Sequence, residues 1–316
     1  MSSNQTKSIY IVKIRILPKL LKQSATEWVS DNATRLSASL AYYAVFSLAP
    51  LLLVVISVAG VVFGTDAARH QLAQAIQQLA GEQAGRAIEG MVQTANRPSS
   101  SAWATIIGLI VLLFGATGVF GELKNALNTI WGVAIKPGQT LFRMFFDRLL
   151  SFGMVVGFGF LLLISLVVNA ALAALSTYMK GILEWPPVIL HSLDFLISIG
   201  VITVLFAMIF KILPNVKVRW LDVWIGALGT AILFVIGQFF IGLYLGKSSI
   251  SSSYGAAGSV IVILLWIYYS SCILFFGAEF TKVYARECGR GVEPTDDAVL
   301  LEKANHNRQT GGDSKA

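Results

Sequence analysis

Residues 256–280 read AAGSVIVILLWIYYSSCILFFGAEF, a stretch with one charge, Glu279, next to its last position. As a helix rising 1.5 Å per residue it is about 37 Å long, enough to cross a hydrocarbon core about 30 Å thick. A strand reading fails, because membrane barrel strands run about 10 residues and alternate in polarity. Stretches 40–63, 102–121, 149–175, 189–213 and 221–245 have the same character, and none carries a charge cluster at its centre. Composition agrees: 55% of the 316 residues are hydrophobic and 13% charged, too little charge to cover a water-facing surface. A soluble enzyme is excluded, and so is a disordered chain, whose signature is low hydrophobicity. The expected fold class is all-α: a polytopic membrane protein with six transmembrane helices.

Six spans put both termini on one side, and Lys and Arg choose that side. Of the 24 cations, all but Arg69, Arg86, Arg97, Lys180 and Lys247 lie with the termini. The N- and C-termini are therefore expected in the cytoplasm, and the net charge of +7 reads as a topological bias with no nucleic acid implied. No cleavable signal peptide is visible in residues 1–36, so the first span is expected to stay as an anchor. Cys272 and Cys288 fall in lipid and on the cytoplasmic side, where disulfides are not expected. With histidines only at 70, 191 and 306, no metal site can be assembled, and no cofactor is expected.

Three parts follow: a basic interfacial segment (1–36), a membrane domain (37–285) and a polar, disordered tail (286–316). Residues 9–22 (IYIVKIRILPKLLK) mix aliphatics with cations around Pro18 and suit a helix on anionic lipid headgroups. The external loop 64–101 has Leu72, Ile76, Leu79, Ile88 and Met91 near helical spacing; a lid and a surface helix are equal readings. Gly153 and Gly157, Gly242 and Gly246, and Gly115, Gly118 and Gly121 have the small-residue spacing of close helix packing.

Polar groups at depth are functional candidates, because lipid penalises them. Asn169, His191, Asp194 and Gln238 fall at similar depth near the external ends of the third, fourth and fifth spans and could line one outward-facing cavity. Against that, a lone Asn or Gln often bonds a neighbouring helix, and His191 is near enough to water to be hydrated. At the cytoplasmic ends Arg35, Glu122, Lys124, Asp222 and Glu279 read as structural ion pairs or an inner gate, with Arg35 or Lys124 as partner for Glu279. Pro50, near mid-depth in the first span, would break that helix as transporter helices are broken. The run Gly242, Gly246, Lys247, Ser248 is one residue short of a phosphate loop and follows no strand. No nucleophile constellation appears, so the chain is expected not to be an enzyme.

Thr34 to Gly60 (TRLSASLAYYAVFSLAPLLLVVISVAG), KILPNVKVRWLDVWIGALGTA from Lys211 and SYGAAGSVIVILLWIYYSSCILFFGAEF from Ser253 resemble the YihY/virulence factor BrkB family of bacterial inner-membrane proteins. The resemblance covers roughly residues 25–285 and implies six helices in the bacterial inner membrane. Its motif positions are Tyr43, Pro50, Pro214, Gly226, Tyr254, Gly255, Gly258, Trp266, Gly277 and Glu279. Some members carry a ribonuclease BN label, which conflicts with a chain lacking a soluble domain, a metal cluster and a base-stacking platform. Others are linked to virulence and serum resistance. The leading expectation is a transporter or exporter of a small solute, ion or lipid-related molecule. The alternative is a non-transporting envelope-integrity scaffold, with loop 64–101 as contact surface. Expected partners are the bilayer, anionic headgroups at the N-terminal segment and a second copy of the chain, with no nucleic acid.

Overall fold

The computed structural model describes residues 3–47, 64, 118–136, 187–247, 256–289 and 291–301, with side chains from residue 16 onward except at 187–194, 245–247 and 256–259. Most of spans 102–121 and 149–175, the end of the first span with Pro50, loop 64–101 and residues 302–316 lie outside the described residues. Six helices are described: α1 (Ser3–Ser30), α2 (33–47), α3 (118–130), α4 (Pro187–Ile212), α5 (Trp220–Lys247) and α6 (Ala256–Glu287). Three of them, α4, α5 and α6, are long and apolar enough to cross a membrane.

The hinge residues explain where the helices stop. Asn32 takes a left-handed backbone (φ 53°) between α1 and α2, a conformation asparagine tolerates, and its side-chain amide donates to Ser30 O. Gly132 (φ 67°) ends α3, its N–H donating to Thr129 O, and Gly291 (φ 82°) closes the end of α6 with an N–H bond to Ala285 O. Pro18, expected to interrupt the basic segment, lies inside the continuous helix α1.

Helices α5 and α6 are antiparallel and exceptionally close. A Cβ on Gly226 would fall inside the side chain of Thr281, and one on Gly277 inside that of Thr230. Each helix thus carries Gly-x-x-x-Thr, and each threonine sits on the other helix's glycine. Both hydroxyls are satisfied within their own helix, Thr230 Oγ1 donating to Gly226 O and Thr281 Oγ1 to Gly277 O, each at 2.7 Å. Further along, Gly237 receives Ile273 and Tyr269. Close approach driven by van der Waals packing is how helices associate where no hydrophobic gain is available. Of the glycine spacings singled out above, Gly121 and Gly242 have no described neighbour within 4 Å of where a Cβ would stand, Gly118 meets the ring of Tyr43, and Gly115, Gly153 and Gly157 lie outside the described residues.

At one end of the bundle the connections fold back. Residues 291–301, expected to begin a disordered tail, instead carry β3 (Glu293–Pro294) and β4 (Ala298–Leu300). Strand β3 pairs antiparallel with β2 (Val216–Lys217) in the α4–α5 connection, and β4 with β1 (Val133–Ile135) after α3. Strands of two or three residues are too short to show an alternation in sequence, which is why the all-α reading missed both ribbons. Asn128 and Asn215 knot the same region: Asn128 Nδ2 donates to Asn215 Oδ1 (3.1 Å), Asn215 N donates to Asn128 Oδ1 (2.8 Å), and Thr295 N donates to Asn215 O (3.0 Å). The main core lies beneath, with Leu127, Ile130, Trp131, Phe210, Val223 and Phe275 all buried.

Candidate functional site

The polar side chains converge at this same end, on Lys282. From α6, residues 279, 282 and 286 follow i, i+3, i+7 spacing and so share a face. From α1, residues 27 and 31 are one turn apart and face them. Lys282 Nζ lies 2.7 Å from Glu279 Oε2, 3.0 Å from Glu27 Oε2 and 3.5 Å from Asp31 Oδ2, and it donates to Ile130 O at 2.6 Å. One ammonium therefore joins three helices, α1, α3 and α6. The Ile130 carbonyl is among the last of α3, which have no partner within the helix and carry the negative end of its dipole, so a cation there is doubly favoured.

Around this centre Arg286 donates to Glu27 Oε1, Gln23 Nε2 donates to the same oxygen at 3.4 Å, and Lys19 pairs with Glu287 at 3.5 Å. With increasing number along α1 the partners on α6 decrease in number, so α1 runs back along the end of α6. Leu20, Val283 and Tyr284 form the small buried core between them, with Ile16, Ile225, Phe280 and Cys288 against it. Burial alone would raise the pKa of Glu27, but the bonds from Arg286 and Lys282 outweigh it and hold the carboxyl below its ordinary range.

Glu279 is the extreme case: its side chain is fully buried and its contact with Lys282 is an ion pair without hydrogen-bond geometry. Two cations face three carboxylates here, and only Arg286 is largely exposed. Among the described residues no group of His, Cys, Asp or Glu has the arrangement of a metal site.

The remaining sequence candidates are distributed differently. Glu279 belongs to this cluster, and its partner is Lys282, its neighbour on α6. Glu122 accepts from Ser39 Oγ at 2.5 Å, which ties α3 to α2. Arg35 is exposed on α2 and Lys124 half-buried on α3, while Asp222 is buried against Gly289 at the start of α5. Of the external set, Gln238 is half-buried on α5, His191 and Asp194 lie on the backbone of the first turns of α4, and Asn169 lies outside the described residues.

Among motif positions, Gly226 and Gly277 form the α5–α6 contact, and Pro214 is buried in the α4–α5 connection. Trp266 meets Phe234 edge-on at 6.4 Å, Tyr43 covers Gly118, and Gly258 is in the first turn of α6. Pro50, Tyr254 and Gly255 lie outside the described residues. Sequence reading missed Glu27, Asp31, Lys282 and Arg286 as partners. The E-x-x-K-x-x-x-R spacing at 279–286 was the available signal.

Long apolar helices welded through glycine, with ionised groups gathered at one end, define a polytopic helical membrane protein. The profile of the family described as Virulence factor BrkB matches residues 24–299, and the chain belongs to that family. A UPF0761 membrane protein of Aeromonas salmonicida is 29% identical over 265 residues, 79% of this chain and 83% of the relative. One from Stenotrophomonas maltophilia is 27% identical over 261 residues, 82% of this chain but 59% of the relative. One from Pseudomonas paraeruginosa is 27% identical over 265 residues, 80% of this chain and 60% of the relative. The chain thus spans about three-fifths of the length of several curated relatives. No solved structure matches. The family and these relatives make the chain a multi-pass bacterial membrane protein.

Proposed function

We propose that this protein is a permease for a small solute, ion or lipid-related molecule, with no catalytic activity of its own, and that the Lys282 cluster is its closed cytoplasmic end. The observation that carries the reading is the fully buried Glu279 carboxylate, paired with an ammonium that also holds α1 and α3. Ionisable groups at such depth are costly, and a buried pair contributes little net stability over apolar packing. A bundle needing only to stand would gain as much from apolar side chains. The cationic bias of the termini side supports the orientation.

The test is flux in proteoliposomes, following entrapped potassium, chloride and protons and the flipping of a fluorescent phospholipid. Wild type is expected to move at least one of them, and the double variant Glu279→Gln, Lys282→Met to stay folded with an altered rate. Absence of any flux from folded protein, with the phenotype of a deletion strain restored by the double variant, would move the reading to the envelope scaffold.

A further inference from the structure

The inward and outward faces of α1 are built for different neighbours. At 3.6 residues per turn, Ile16, Leu20, Ser24, Glu27 and Asp31 share the arc turned to α6. On the face turned away, Leu17, Pro18, Leu21, Ala25 and Val29 fall within an arc about 120° wide and are exposed, with Leu17 at 43%, Leu21 at 42% and Val29 at 68%, while Trp28 in the same arc is half-buried against the main core. Lys22 borders that arc; Lys19 lies further round the helix, toward α6, where it pairs with Glu287 yet keeps 70% of its side chain exposed. Lys7, Lys13 and Arg15 precede them on the same helix.

The level of this arc along the bundle is known. Leu20 packs in one cluster with Ile225 of α5, so Leu17 and Leu21 stand level with the first turns of α5. Those turns carry exposed Arg219, Trp220, Leu221 and Trp224. Tryptophan beside cations is the composition of the membrane–water boundary. Glu279 lies about a turn deeper, since Gly226 of α5 receives Thr281 of α6.

We propose that the outward arc of α1, Leu17, Leu21, Ala25 and Val29 edged by Lys22, is a docking surface for an anionic lipid leaflet. Helix α1 is then a two-faced element, its carboxylates on the Lys282 cluster and its aliphatics at the acyl boundary, with the lysines in the headgroups. A water-facing helix would have no use for an exposed apolar arc at that level. A protein partner fits less well, because Lys22 borders the arc and the same helix carries Lys7, Lys13 and Arg15 in its sequence, an excess of cations that suits anionic headgroups. The inference is independent of transport.

The experiment uses the full chain in nanodiscs, in a Cys272→Ser, Cys288→Ser background, with a spin label at Leu17→Cys, Leu21→Cys or, as an off-arc control, Thr26→Cys. Collisional accessibility to oxygen and to a water-soluble nickel chelate is read in phosphatidylcholine alone and in a mixture with phosphatidylglycerol. Labels at 17 and 21 are expected to shift toward oxygen in the anionic mixture, the label at 26 to remain nickel-accessible, and Lys22→Gln to reduce the shift. Nickel accessibility at 17 and 21 in both lipids would overturn the proposal. Shielding from both probes would overturn it in favour of a second protein surface, and equal oxygen accessibility in both lipids would remove the anionic requirement. All labelled positions are exposed, so a misfolded variant is recognised by its elution profile and replaced by Val29→Cys.

Discussion

Helix α6 has two interfaces of opposite physical character. Against α5 it is welded: Gly226 takes Thr281, Gly277 takes Thr230, and both hydroxyls are satisfied within their own helices, so neither bonds across the contact. Against α1 and α3 it is tied by charge, through Lys282, Arg286 and their carboxylates. Packing of the first kind is close-range and tolerates no added atom. Ionic contact of the second kind is longer in range and responds to salt, pH and the loss of a partner. The α5–α6 contact is therefore expected to resist displacement, and the Lys282 side to respond first to salt and pH.

The largest effect is expected from breaking the weld. Gly226→Leu drives a side chain into Thr281, at a cost of about 3 kcal/mol or more, and should leave little monodisperse protein on detergent gel filtration. Gly226→Ala should be milder and largely rescued by Thr281→Gly, because the clash is with that one side chain. Rescue failing would mean the contact is not the reason for the glycine.

Next comes Lys282→Met, which removes the cation shared by Glu279, Glu27, Asp31 and the Ile130 carbonyl. A loss of about 3–5 kcal/mol is expected, seen as a lower midpoint of thermal aggregation in detergent. Adding Glu279→Gln should recover only part of it, because Asp31 and the Ile130 carbonyl still lose Lys282. If the single variant is as stable as wild type, the ionic side is ornament and the comparison collapses.

Glu27→Gln should be smaller, about 1 kcal/mol, as Glu27 is partly screened by water. Its sign with pH is definite. The carboxyl is held below its ordinary value, so the folded state binds fewer protons, and its contribution is present above the ordinary range near 4.5 and lost as pH falls through the depressed value. Wild type should therefore lose α1 protection against proteolysis on acidification more steeply than Glu27→Gln. The smallest effect is expected at the C-terminal ribbon, where Asp296 pairs with Lys217 at 2.9 Å in full solvent. Asp296→Asn should leave the aggregation midpoint unmoved and should alter only the salt dependence of tail proteolysis.

How much was legible varies with the range of the interaction. The stretches 189–213, 221–245 and 256–280 nearly coincide with α4, α5 and the apolar part of α6, because hydropathy over about 20 residues is a local property. Glu279 stood out for the same reason, a charge ending an apolar run. The rest of the cluster did not: Glu27 and Asp31 lie some 250 positions from Lys282, and only folding brings them together. The weld was half legible. Small residues signal close packing, but the glycines chosen by spacing alone were others, since an i, i+4 Gly–Gly pattern looks the same whether or not a partner helix faces it.

The tail shows the same limit from the other direction. Polar residues after Arg290 read as disorder, yet 291–301 are ordered because β1 and β2 present their edges to them. Strand pairing is completed by a partner, and so it is invisible in the segment that is paired.

By itself, then, the sequence determined the solvent: too few charges for water and apolar runs of bilayer length, both additive along the chain. Tertiary structure alone decided which glycine meets which threonine, that one ammonium answers three carboxylates from two helices and the end of a third, and that the tail closes the charged end. Transfer between water and lipid is a sum over residues and can be read one residue at a time. Contacts between distant segments depend on pairs, and no single segment contains them.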